Sequence, residues 1–330
     1  MASLVGQGGL DEALQSRLAL VEERLRDAVA QSDRLADATS RHLVNAGGKR
    51  LRPALVLLTA HLGDASRPEV LDAAVVVELT HLATLYHDDV MDSAPTRRGA
   101  PAAHEVWGNS VAILTGDLLF ARASAVVAGL GPQAVRIQAE TFERLCLGQL
   151  HETVGPGQDD DAIDFYLQVL ADKTGSLIAT SARFGAMFAG CEPVLVQQVT
   201  RYGELAGVAF QLADDVIDLR SDAETTGKTP GTDLREGVPT MPVLLLRRRV
   251  AAGGSEQDVS LLAAIDGDLS DDAALADVVG RLSGHAVVDE TAALAAQWAA
   301  RAVEAIDGLP DGDVKASLVS FAEALVERAA

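Results

Sequence analysis

Residues 69–92 read EVLDAAVVVELTHLATLYHDDVMD, a stretch made only of good or tolerable helix formers. Its run from Ala73 to Val77 is continuously apolar, which predicts a helix buried on all sides, as in the middle of a bundle. The same helix ends in HDDVMD. In a helix, residues i and i+4 share a face, so Asp88 and Asp92 point together with Asp89 about 100° round. Three like charges within one turn repel, and a bound cation would relieve them. Carboxylate oxygens favour hard ions, and magnesium is usually held by one or two carboxylates plus substrate phosphates.

Outward from this helix the pattern stays helical. Leu14, Leu18, Val21 and Leu25 recur at i, i+4, i+7 and i+11, one stripe of an amphipathic helix. Breakers such as Gly47-Gly48, Ser66-Arg67-Pro68, Ala94-Pro95, Gly131-Pro132, Gly155-Pro156-Gly157, Pro193 and Pro230-Gly231 separate helical patterns of roughly 10–25 residues. The alternation that would build a sheet is missing. The expectation is an all-α chain, residues 1–330 forming one domain, with the Gly-rich residues 1–9 frayed and residues 253–285 forming short exposed helices.

The 330 residues carry 27 basic and 48 acidic side chains, a net charge of −21. So acidic a surface repels nucleic-acid phosphates and anionic headgroups, which argues against either as a general partner. Cys146 and Cys191 are too few for a disulfide framework and fit a reducing cytoplasm. No run of about 18 apolar residues lacks charges or breakers, so no membrane span is expected.

A second cluster, ADDVIDL at 213–219, repeats Asp-Asp-x-x-Asp 126 residues after the first, placing Asp214 and Asp218 on one face with Asp215 beside them. Both clusters sit inside apolar segments, where buried carboxylates need compensation. In so acidic a chain the positive residues are informative. GGKRLRP at 47–53 sets Lys49, Arg50 and Arg52 beside two glycines, ahead of a helix expected to open at Pro53. Arg97 and Arg98 follow the first cluster in a loop expected to fold back over it. Lys173 and Thr174 mark a helix interruption, and Lys228 lies ten residues past Asp218. His81, two turns before Asp88, shares its face about 10 Å away. Gln211 precedes Asp214 by three residues. A lone histidine or glutamine on an apolar helix is ordinarily a satisfied core residue; here both align with carboxylates. Two acidic walls ringed by cations suit a substrate with two or more phosphates, and the apolar surroundings suit a lipid-like, prenyl chain. A Walker A sequence and a kinase signature are both missing.

The chain resembles the trans-isoprenyl diphosphate synthases, or polyprenyl synthetases, through GGKRLRP, HLATLYHDDVMDSAPTRRG, GNSVAILTGDLLF, KTGSL, FQLADDVIDL and GKTPGTDLREG, in the family's order over residues 47–242. The resemblance implies antiparallel helices around a deep central cavity, a cytoplasmic homodimer, and head-to-tail condensation of isopentenyl diphosphate with an allylic prenyl diphosphate. It implies three magnesium ions per active site, with Asp88 and Asp92 as ligands supported by Asp89, and Asp214 as a ligand from the opposite wall. Asp215 and Asp218 would act partly through water. Arg97, Lys173 and Lys228 would contact the allylic diphosphate. Lys49, Arg52, His81 and Arg98 would bind isopentenyl diphosphate, and Thr174 and Gln211 would lie near the allylic cation. One departure is Val238, where the family commonly has a lysine.

Positions five and four before Asp88 are Ala83 and Thr84, both small, where short-chain relatives often carry an aromatic ring; this favours products longer than C20. The alternatives are a short-chain farnesyl or geranylgeranyl diphosphate synthase, a class I terpene cyclase and a non-catalytic synthase subunit. The intact aspartate clusters and the GGKR stretch disfavour the last two.

Overall fold

The structure, a computed structural model, describes residues 9–220 and 230–327. Lys228 and residues 1–8 of the segment expected to fray lie outside the described residues. In order the elements are α1 (Gly9–Ala28), α2 (Arg34–Asn45), α3 (Leu51–Ala60), α4 (Pro68–Met91), β1 (Thr96–Arg97), β2 (Ala100–Pro101), α5 (Ala103–Trp107), α6 (Asn109–Gly129), α7 (Pro132–Val154) and α8 (Ala162–Leu170). A π-turn (Ala171–Gly175), α9 (Ser176–Phe188), α10 (Pro193–Arg220), α11 (Thr232–Arg235), α12 (Met241–Ala251), α13 (Glu256–Ile265), α14 (Asp272–Ser283), α15 (Ala286–Ala305) and α16 (Asp313–Glu327) follow. The all-α expectation holds: among the described residues the strands are two dipeptides, paired antiparallel with Arg97 opposite Ala100. Residues 253–285 contain two short helices, α13 and α14.

Two compact units form. The first comprises Met1–Arg144, Ser176–Gly203 and Ala305–Ser320; the second comprises Leu145–Gly175, Glu204–Glu304 and Phe321–Ala330. In the first unit, α4 packs against α6, α3, α9 and α1, which is why its sequence is apolar all round. Val75 to Val77, Leu79, Leu82, Ala83 and Tyr86 are all buried. The Tyr86 hydroxyl donates to Thr39 O at 2.5 Å and accepts from Leu43 N at 3.3 Å, so its polar end is satisfied inside the core. Where α3 meets α9, a Cβ at Gly185 would come within 2.1 Å of both Thr59 Oγ1 and Val56 O, so only glycine allows this approach.

The second unit buries one face of α10 (Val208, Leu212, Ala213, Val216, Leu219) against α8, α12 and the short helices after it. Local signals set the helix starts. Asp161 caps α8 by accepting from Ile163 N and Asp164 N. Ser255 and Asp258 form a reciprocal capping box at α13. α4 opens on Pro68, whose missing N–H costs nothing in the first turn.

One helix among the described residues, α6, is long and apolar enough to cross a membrane, with a mean hydropathy of 1.7 over a window that is 39% buried. This differs from the sequence expectation because Asp117 and Arg122 are its only charges and its glycines do not break it. Ala112, Gly116, Leu119 and Ala123 are buried, while Ile113 and Leu114 are exposed. One of its faces packs into the first unit, and the other is apolar and exposed.

Candidate active site

The first aspartate cluster closes α4. Asp92 caps the helix, its N–H donating to Asp88 O at 2.8 Å, which keeps the two residues one turn apart as expected. The three carboxylates have different surroundings. Asp92 is exposed and Asp88 half-buried, whereas Asp89 is wholly buried. Arg97, on β1, donates from Nε to Asp89 Oδ1 at 2.5 Å, and Asp89 Oδ2 is buried without a hydrogen-bond partner. Burial raises the Asp89 pKa, opposed by Arg97. The loop after the cluster thus folds back over it as a two-residue hairpin, pinned by an ion pair.

A cationic group gathers beside this cluster in the first unit. His81 lies among Arg52, Arg98, Arg97 and Arg50. Burial first, then these four charges, hold its imidazole well below its ordinary pKa, so the ring is neutral. Arg52 has a buried Nε with no hydrogen-bond partner, and burial lowers its guanidinium pKa to about 10. Lys49 is exposed. Gly47 and Gly48 have φ of 79° and 142°, and a Cβ on Gly48 would lie 2.6 Å from Cζ of Arg98. The glycines therefore admit the arginine against the turn. Helix α3 opens at Leu51, two residues before the expected Pro53.

In the second unit, Asp214, Asp215 and Asp218 lie near the end of α10. Asp215 points inward: the Tyr166 hydroxyl donates to both its oxygens at 2.9 and 3.1 Å, and Met241 N donates to Oδ2 at 3.2 Å. Burial, with Asp233 adding repulsion, pushes its carboxyl well above the usual range. The interruption expected at Lys173-Thr174 is the π-turn, a distortion common at functional sites. Lys173 pairs with Glu152 of α7, and Thr174 Oγ1 donates to Gln211 Oε1 at 3.2 Å, bringing together two residues singled out separately from sequence. A Cβ on Gly148 would lie 2.6 Å from Lys173 N, so α7 needs glycine where it meets the turn.

Glu22 and Glu78, which pair with the buried Arg50, and Glu152 and Tyr166 are additions that sequence reasoning did not find. A glutamate inside VVVELT was the one available signal, since a lone charge in an apolar run needs a partner. Among the described residues no three His, Cys, Asp or Glu side chains converge to hold a metal unaided. The donors present are hard carboxylate oxygens, one of them buried and unpartnered, which fits a dication that completes its shell with water and phosphate.

Over nearly its whole length the chain is similar to known proteins. A nonaprenyl diphosphate synthase of Mycobacterium tuberculosis is 42% identical over 98% of this chain and 96% of its own. Among solved structures, a polyprenyl synthase from Caulobacter crescentus, complexed with calcium and isoprenyl diphosphate, is 32% identical with a TM-score of 0.88, covering 98% of this chain and 99% of that one. A geranylgeranyl pyrophosphate synthase from Corynebacterium glutamicum, likewise complexed with calcium and isoprenyl diphosphate, is 41% identical with a TM-score of 0.86 and covers 98% of both. The family model described as polyprenyl synthetase matches residues 33–280, and the chain belongs to that family.

Proposed function

We propose that the chain condenses isopentenyl diphosphate head to tail with an allylic diphosphate, releasing diphosphate and building an all-trans polyprenyl diphosphate longer than C20. The observation that carries this reading is the gathering of Arg52, Arg97 and Arg98 around a neutral His81 in a chain of net charge −21. Such a cluster of cations favours a compact polyanion. Family membership and the nonaprenyl relative, matched from end to end, support the long product.

In this reading residues 1–330 work as one catalytic domain, since the family match draws on both compact units. Asp88 and Asp92, with Asp89 in support, and Asp214, with Asp215 and Asp218, hold magnesium, three ions per site. When bound, the metal supplies charge neutralisation to the leaving diphosphate. Arg97, Lys173 and Lys228 hold the allylic diphosphate, stabilising charge that grows as the C–O bond ionises. Lys49, Arg52, His81 and Arg98 orient isopentenyl diphosphate. Thr174 and Gln211, already bonded to each other, turn oxygens towards the allylic cation. Attack by the isopentenyl double bond and loss of a proton to the released diphosphate complete the step. Val238 removes one cationic contact common in the family, and Lys173 and Lys228 carry that role.

The protein acts in this reading as a cytoplasmic homodimer. Its cysteines are both free thiols. Ile113 and Leu114 of α6, 41% and 65% exposed, offer a face for a second copy. Mass spectrometry of products made from isopentenyl diphosphate, magnesium and defined primers tests the function. Chains beyond C20 are expected, with Asp88→Ala and Asp214→Ala slowing condensation by roughly 10³-fold or more while folded. Products that stop at fifteen or twenty carbons under excess isopentenyl diphosphate would refute the length. Near-normal turnover in either variant would refute the metal assignment.

A further inference from the structure

Within GGKRLRP, the arginine between the two expected ligands behaves unlike either. Arg50 is 5% exposed and every guanidinium nitrogen is occupied. Nε donates to Glu22 Oε1 at 2.5 Å, Nη1 to Glu78 Oε1 at 2.7 Å, and Nη2 to Val44 O at 3.1 Å. Arg52 keeps an unpartnered Nε, and Lys49 is exposed. Arg50 is therefore not available to a diphosphate, although its neighbours are.

Its backbone is also unusual. Arg50 caps α3 at φ 49°, ψ 39°, the left-handed region that glycine enters freely and arginine only at a cost. Such strain persists only where surrounding contacts over-determine it. Here the contacts are the two carboxylates. Glu78, 1% exposed on α4, three residues before His81, also lies 3.8 Å from Arg98 Nη2. Arg98 in turn donates to Leu43 O at 3.3 Å and to Gly47 O, gripping the turn from its other side.

We propose that Arg50 is a positioning residue, clamped by Glu78 and Glu22 so that the strained turn presents Lys49 and Arg52 to the diphosphate of isopentenyl diphosphate. This rests on the function proposed above. The clamp sets affinity for one substrate and leaves ionisation of the other untouched.

The test is steady-state kinetics together with calorimetric titration of isopentenyl diphosphate alone, on the full-length protein. Arg50→Lys keeps the charge and loses the planar fork; Glu78→Gln keeps the shape and loses the charge, and carries the test should the lysine variant fail to fold. Each is expected to raise KM for isopentenyl diphosphate roughly tenfold, with KM for the allylic substrate within about twofold and kcat within about threefold. The double variant should be no worse than the worse single one, because both break the same clamp. Equal rises in both KM values, additive losses, or unchanged KM for isopentenyl diphosphate would overturn the proposal. A wild type that binds isopentenyl diphosphate without turning it over would refute the function instead. The titration would then still judge the clamp by whether Arg50→Lys weakens binding.

Discussion

At the scale of single residues, the two aspartate clusters show how chemically identical side chains divide their work. Asp92 is exposed and Asp88 half-buried, while Asp89 and Asp215 are buried and engaged by Arg97 and Tyr166. The spacing of these residues was legible in sequence, because i, i+4 periodicity is local. Their burial was not, because the partners lie 8 and 49 positions away. Glu78 escaped for the same reason, its arginine being 28 positions distant. His81 yields a measurable consequence. Its imidazole stays neutral in the fold, through burial and then the neighbouring arginines, while the unfolded chain takes up a proton below about pH 6.5. Acid then favours the unfolded state, so this contribution to stability is lost as pH falls through 6.5. Denaturant titrations of wild type and His81→Asn from pH 7 to pH 5 should diverge. The wild type should lose up to about 1.4 kcal/mol more per pH unit below 6.5. Parallel curves would mean that the histidine is charged in the fold.

Among elements, the π-turn and the helix packed on it decide where Lys173 and Thr174 stand. DKTGSL reads as an interruption from its glycine, but the kind of interruption depends on α7, whose Gly148 approaches the turn's backbone too closely for any Cβ. Gly148→Ala should therefore destabilise the protein by about 1–3 kcal/mol and lower kcat, since neither backbone can yield locally. Gly280, on α14, has nothing within 4 Å of an added Cβ, and Gly280→Ala should stabilise by about 0.5–1 kcal/mol with unchanged activity. Thermal melts and initial rates on the pair separate close packing from helix propensity. If both variants behaved alike, the approach of α7 to the turn would not be tight. α4 was the most legible element, found from sequence to within one residue at each end. The hairpin of β1 and β2 was read as a loop, because two-residue strands carry no periodicity.

For the whole molecule, charge and apolar surface act on different scales. Net charge of −21 keeps molecules apart at long range, and salt screens it within about 10 Å at 0.1 M. The exposed leucine and isoleucine of α6 act only on contact. Sedimentation equilibrium is expected to return about twice 34.4 kDa, and Leu114→Glu should return the single-chain mass. A monomeric wild type would remove the homodimer. The all-α class was legible because helical periodicity runs through nearly every segment. The division into two compact units was not, since α7, α10 and α16 each contribute to both. The chain leaves the second unit as the π-turn ends, at Gly175, and α9 continues into the first without a loop. Insertions and deletions in that turn are expected to be poorly tolerated. Deleting one codon between 171 and 175 is expected to restore α-helical register and to turn Lys173 about 100° on its helix. Lys173 would then leave Glu152, so chain length at this turn should matter to activity as much as residue identity.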